Sequence, residues 1–424
     1  MLRGPAGEIG GCSPGSLLLK WSVASRGLLE RRCRLSLTSR EPALQLLYGS
    51  RSSIWASKRW RHRGAKVGRM SDVRSNGGSA RAEAGPGTAL PRAADFQRFV
   101  FVMGAVVISL ALEVNRANGL SWLFLVLGSA AYVELLVTEG GRLLRSPKSF
   151  LGSLGDVRKA LGSLTFGVAT LVLAARFTTL GVAWLGAVLF CLGGAVAVIC
   201  AYLLPAVLLL KPFQLDRLRR AGGLIFLWPV SLEATGAAAS TVSISSHFES
   251  SPLAIVALAT WGVGLLLYLL LLALLLGQFL SADFALRNLG PSYWVTMGAA
   301  ALSSLGAALI AIDPQTKVGL GKALAEVAPA AGLLLWVLAT ALVPLVIGLS
   351  LARTARRQLL VGAPKELWVA VFPAGVYSLA SHTLGVATGT PWLQGVGWIA
   401  LWFAVGVFLI ELGRGVLMRL LPTN

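Results

Sequence analysis

The chain has 424 residues, 55% of them hydrophobic and 13% charged, with 38 basic against 18 acidic side chains and a net charge of +20. So little charge among so many apolar residues excludes a water-soluble globular domain and marks a polytopic membrane protein. The basic surplus is not a nucleic-acid signal: residues 1–98 hold 18 basic and 6 acidic side chains, 12 of the 20 surplus charges, with no recognition element between them, as in a membrane-proximal cytoplasmic segment.

Residues 1–98 contain no apolar run long enough to span and are rich in Arg, Ser and Gly, which predicts a disordered basic tail. Ser16 to Val23 is too short and interrupted for a signal-peptide core, and an Arg- and Ser-rich leader also fits an organelle transit peptide. Met70 opens MSDVRSNGGSARAEAGPG, a short polar start, so residues 1–69 also read as an over-called beginning in a GC-rich gene. Cys12, Cys33, Cys191 and Cys200 show neither metal-ligand spacing nor a disulfide framework.

From Phe99 onward, apolar stretches recur at about 99–115, 120–138, 161–177, 180–209, 222–242, 253–278, 292–312, 330–352, 367–386 and 393–412. These predict a ten-helix membrane domain over 99–418, followed by a short cytoplasmic tail at 419–424. Alternating the loops puts 16 basic residues on the side of the N-terminus, among them Arg142, Arg145, Lys211, Arg217 and Arg356. The other side receives 4, namely Arg116, Arg176, Lys317 and Lys322. The positive-inside rule therefore places both termini in the cytoplasm.

The spans alternate in chemistry as well as direction. Even spans are greasy, as in GVGLLLYLLLLALLLG of the sixth, and suit a lipid-facing position. Odd spans carry small and hydroxyl residues: GSLTFGVATLVL in the third, LEATGAAAST in the fifth and MGAAALSSLGAAL in the seventh. Small residues let backbones approach, and their hydroxyls can line a pore, so the expected architecture is an inner ring of odd helices inside an outer ring of even ones. The ninth span, from Trp368 to Gly385, is the most pore-like. Pro373 removes a helix donor and frees carbonyls, which the membrane tolerates only against protein or a wet cavity. Pro229 is read as a second kink, on the fifth span.

Candidate polar groups for the path are Glu233, Ser303, Ser304, Ser378 and His382. An ionised Glu233 would repel an anion, whereas a protonated one would donate a hydrogen bond to it; the competing reading is a carboxyl held between helices. His382 is read either as a positive group facing an anion or as a helix–helix hydrogen bonder. No HExxH helix, paired intramembrane aspartates or GxxxxGK[ST] loop occurs, and only His62, His247 and His382 are available, so neither an enzyme nor an ATP-driven pump is indicated and no cofactor or metal is expected. Transport is the leading function, as a passive channel or a proton-coupled carrier, with a membrane receptor or structural protein as the other class.

Four stretches resemble one family. PSYWVTMGA at Pro291 to Ala299 is similar to a PxYWxxMGA pattern opening a seventh helix, and ELWVAVFPAGVY at Glu366 to Tyr377 to a LWxxVFPLGMY pattern. AYVELL at Ala131 to Leu136, with LLRSP at Leu143 to Pro147, and SLTFGVAT at Ser163 to Thr170 resemble its second and third helices. The family is that of tellurite-resistance and C4-dicarboxylate transporters, which includes TehA-type channels, plant slow-type anion channels and fungal sulfite and malate carriers. The resemblance spans about Phe99 to Gly415 and implies an all-α protein of five hairpins around a central pore, often a trimer. It also implies small anions as permeants (tellurite, sulfite, halide, nitrate or dicarboxylate), a cell-membrane location and a blocking aromatic that falls on Phe372. Two departures stand out. The family's first-helix MATGIVS is MGAVVIS at Met103 to Ser109, which predicts an altered approach of that helix to the pore, and FPLGMY has become FPAGVY.

Overall fold

The computed structural model describes residues 98–148, 157–210, 222–245, 251–280, 291–317, 321–356 and 368–420. The expectations for the tail 1–98 lie outside these residues, apart from Arg98. The described residues form ten α-helices: α1 Phe99–Val114, α2 Asn118–Arg145, α3 Val157–Thr179, α4 Ala183–Leu210, α5 Leu227–Ser245, α6 Ser251–Phe279, α7 Trp294–Ile312, α8 Gly321–Arg356, α9 Trp368–Ala387 and α10 Pro391–Leu420. Eight are long and apolar enough to cross a membrane. The other two are α1, with 16 residues, and α5, which carries Glu233 among its hydroxyl residues. Neither faces lipid, so neither needs a lipid helix's length or hydropathy.

Burial separates the helices as composition predicts. In α3, α7 and α9 the apolar window is 72%, 83% and 78% buried, against 33%, 22%, 33%, 28% and 33% in α2, α4, α6, α8 and α10. Each odd helix pairs with the even one that follows it, giving five hairpins, and α1, α3, α5, α7 and α9 touch in sequence to close a ring. The even helices turn outward side chains such as Val137, Leu266, Leu334 and Ile399 that are more than half exposed, a surface that only hydrocarbon solvates well. The α3–α4 and α9–α10 turns are tight, and each uses a glycine in the left-handed region, Gly181 and Gly389, where a side chain would strain the backbone.

Several boundaries differ from the hydropathy reading. α8 begins nine residues before the expected 330 and runs to Arg356, enclosing Pro329 and Pro344. α10 continues to Leu420, into the expected tail. Pro229 is not a mid-helix kink: a 3-10 turn at Gly222–Phe226 leads into α5, which starts at Leu227, so Pro229 occupies its first turn, where a missing N–H costs nothing. Pro373 does lie inside α9. Arg176 is not a loop charge but belongs to the last turn of α3 and is 1% exposed.

The ring closes because small residues receive large ones. A Cβ on Gly298 of α7 would stand 2.9 Å from Cγ of Pro373 on α9, so the two helices meet at these residues. Between α1 and α9 the notches are reciprocal: Gly104 receives Val371 and Gly375 receives Val107, with added Cβ atoms at 2.8 and 2.7 Å. The Val residues in MGAVVIS therefore do not hold α1 away. The close approach is kept by glycine on the opposite helix, which corrects the expectation drawn from that departure. At the N-terminal end of α1, Phe99 meets Tyr132 and Phe166 edge-on, and Tyr132 stacks on Phe166 and shares a 2.9 Å hydrogen bond with Thr170, joining α2 to α3.

Candidate functional site

The odd helices enclose a cavity of about 220 Å³. All five contribute: Val107, Leu110 and Val114 from α1; Leu171, Val172, Ala175 and Thr179 from α3; Ala234 to Ser245 in part from α5; Leu302 to Ile312 in part from α7; and Phe372, Val376, Leu379 and Thr383 from α9. Among the described residues no even helix supplies a lining residue. Because the hairpins make the odd helices parallel, residues at the same distance along them share a depth. Val114, Thr179, Ser245 and Ile312, at or beside the helix C-termini, form one end, the mouth. Phe372, Val107, Leu171, Ala234 and Leu302 form the deep end.

Phe372 is 4% exposed and directly precedes Pro373. Its position follows from packing on either side, since Val371 is seated against Gly104 and Pro373 against Gly298. With both neighbours wedged between helices, the ring is turned to the remaining direction, the cavity. The lining is otherwise aliphatic, with hydroxyls at Thr179, Thr241, Ser245 and Thr383 and no charged side chain among the described residues.

None of the polar candidates read from the sequence lines this cavity. Ser303 donates to Oε1 of Glu233, joining α7 to α5, while Gly264 of α6 lies against the stem of the side chain, where an added Cβ would lie 2.8 Å from Cγ of Glu233. Ser304 donates to the Gly332 carbonyl of α8 at 2.8 Å. Ser378 donates to the Gly397 carbonyl of α10 at 2.6 Å, and His382 packs its Cβ against Gly397. The physical reason for the glutamate and the serines is the same: a small or polar side chain on an inner helix is needed where two helices touch, and each inner helix touches at least three others. The structure places Glu233, Ser303, Ser304, Ser378 and His382 away from the lining of this cavity, which is formed by the aliphatic residues that remain.

Glu233 also differs from four other acids on the helices. Glu134 meets Arg98 at 3.5 Å, Glu411 meets Arg414 at 3.2 Å, and Glu113 and Glu139 pair with Arg176 and Arg142. Among the described residues no cation pairs with Glu233, and its Oε2 has no hydrogen-bond partner.

Sequence reading missed the cluster around Arg176. Its guanidinium donates from Nε to Ser109 Oγ at 3.0 Å, from Nη2 to Ser121 Oγ at 2.9 Å and from Nη1 to Thr179 Oγ1 at 3.0 Å, and Nη1 also pairs with Glu113 Oε2. Ser109 and Ser121 spend their own protons on each other's backbone carbonyls, both at 2.8 Å, which leaves their oxygens free to accept. The available signal was an acid in the last turn of the first span and a base in the last turn of the third, at matching depth.

Comparison with known proteins agrees with this architecture. Two uncharacterized membrane proteins from Mycobacterium tuberculosis, one from strain CDC 1551 / Oshkosh and one from H37Rv, are each 28% identical to the chain over 147 residues, covering 34% of it and 72% of their own length. The voltage-dependent anion channel family profile matches residues 94–416, the ten helices almost end to end. An all-α membrane domain with a closed ring of odd helices, carrying that match along its whole length, belongs to the voltage-dependent anion channel family.

Proposed function

We propose that the chain conducts small anions along the axis of the odd-helix ring, entering at the mouth, crossing the cavity and passing Phe372 at the deep end. The observation that carries this reading is the cavity itself, lined by all five odd helices and by no even one. Phe372 is the proposed constriction: its volume closes the path and its ring cannot replace an ion's hydration shell.

The aliphatic lining narrows the permeant class. An ion crossing it surrenders water without receiving a compensating charge, and the Born cost of that transfer rises with the square of the ionic charge. Monovalent, weakly hydrated anions such as nitrate and the larger halides are favoured over sulfite, tellurite or C4-dicarboxylate dianions. No ionisable group stands on the described lining to carry a coupled proton, which favours a passive channel over a proton-coupled carrier. The proposed setting is the cell membrane with both termini cytoplasmic, so the mouth faces outward, and the apolar even helices meet lipid and, as the family resemblance implies, neighbouring copies in a trimer.

Purified protein in liposomes tests this. Electrogenic flux is expected to follow the imposed potential, to persist without a pH gradient and to rank nitrate above the dianions. Flux that requires a proton gradient would replace the channel by the carrier, and absence of flux for every anion would remove the transport reading.

A further inference from the structure

Arg176 is more elaborately held than an arginine that only ties helices together. Three contacts, to Ser109, Ser121 and Thr179, fix its plane with hydroxyl oxygens alone, so its orientation does not depend on the carboxylate. The fourth partner, Glu113, lies on the solvent side of the pair: its side chain is 27% exposed, that of Arg176 2%. Thr179 touches both, accepting from Nη1 and donating to Glu113 Oε2 at 2.9 Å, and it is also a lining residue at the mouth, as is Val114 beside Glu113. Removing the carboxylate would leave an oriented guanidinium beside Thr179, at the rim of a cavity whose described lining carries no charge.

The electrostatics of the mouth give such a group a purpose. Around the axis five parallel helices end there, each presenting a C-terminal partial charge of roughly −0.5, while the oppositely charged N-termini of the even helices stand farther out in the outer ring. That field opposes an approaching anion. Among the described residues at this end of α1 and α3 the cations are Arg176 and the exposed Arg116 of the α1–α2 turn, and Glu113 cancels the first.

We propose that Arg176 is the centre of an anion-binding site at the mouth, of which the carboxylate of Glu113 is the resident and displaceable occupant. The ligand is a small planar monovalent oxyanion, a simple carboxylate or nitrate, because a guanidinium offers paired N–H donors in a plane and the seat is already shaped for a carboxylate. Thr179 hands such an anion between the site and the cavity. In the intact protein the tethered Glu113 competes at the high effective concentration of an intramolecular group, so the site exchanges only against abundant external anion. The inference rests on the transport reading only for the path on which the cavity lies; the binding itself does not require it.

The test uses the full chain purified in detergent, formate as the probe and chloride at equal ionic strength as the control. Glu113→Ala empties the seat and leaves the Ser109 and Ser121 contacts in place, while Thr179 can turn its proton to the Arg176 carbonyl at 2.9 Å. Formate is expected to raise the melting temperature of this variant saturably, with an apparent affinity at least ~10-fold above that for the unsubstituted protein, and chloride is not. Adding Arg176→Gln to Glu113→Ala is expected to abolish the response. A monodisperse Glu113→Ala protein whose melting temperature responds no more to formate than to chloride overturns the site and leaves a purely structural ion pair. Should Glu113→Ala yield no folded protein, Glu113→Gln takes its place, with the same saturable response required and its absence equally fatal. A formate response without anion flux in liposomes would keep the site and remove the transport reading; flux without a formate response would do the reverse.

Discussion

Gly298 on α7 and Pro373 on α9 touch so closely that a Cβ added to the glycine would lie 2.9 Å from the proline Cγ and 3.3 Å from its Cα. The proline lies within α9, and its fixed ring cannot swing away as a flexible side chain would. Two stretches noted in the sequence for separate reasons, PSYWVTMGA and VFPAGVY, are thus the two faces of one contact. That contact seats Pro373 and aims Phe372. Gly298→Ala is therefore expected to destabilise the protein by about 1–3 kcal/mol through overpacking. Gly413→Ala on α10, where nothing lies within 4 Å, is expected to be neutral or slightly stabilising. Thermal unfolding of both variants in detergent checks the contrast, and equal melting temperatures would mean the helices can separate without cost.

Phe372→Ala is expected to raise anion conductance per folded molecule. Truncation widens the deep end of the cavity and admits water where the ring excluded it. A ring that only packs would instead cost about 3–5 kcal/mol on truncation and reduce folded protein without opening anything. Current normalised to monodisperse protein separates the two, because they differ in sign; unchanged or smaller current would retire Phe372 as the constriction.

Glu233→Gln is expected to leave stability within about 1 kcal/mol, since the amide oxygen still accepts from Ser303, whereas Glu233→Ala orphans that hydroxyl and opens a void at a cost of about 2–4 kcal/mol. Because the carboxyl stands between α5, α6 and α7 and not on the cavity lining, curves of flux against pH for the Gln variant and the unsubstituted protein are expected to superimpose. Separated curves would return Glu233 to the conduction path.

Orientation is checked by labelling. With the native cysteines removed, a single cysteine at Thr388, exposed in the α9–α10 turn, is expected to react with an impermeant thiol reagent applied to intact cells. One at Ser146, the residue after α2, is expected to react only after the membrane is opened. The reverse pattern would invert the protein and place the mouth in the cytoplasm.

The sequence by itself determined the class, the number of helices and their two layers, and the reason is bulk physical chemistry. Length and hydropathy answer to the thickness of hydrocarbon, and small residues recur on helices surrounded by other helices, as α7 and α9 are here. It also singled out Phe372, the constriction proposed above, through its place before Pro373 and its resemblance to a blocking aromatic. What only the tertiary structure decided is which side of each inner helix meets the lumen. A serine that joins two helices and a serine that solvates an ion are the same letter at the same depth; Ser303, Ser304 and Ser378 went to neighbouring helices because Glu233 and the Gly332 and Gly397 carbonyls were there to receive them. Arg176 shows the converse. One charge near a span end reads as a loop residue until Ser109, Ser121 and Glu113, more than fifty positions away in the chain, are folded around it.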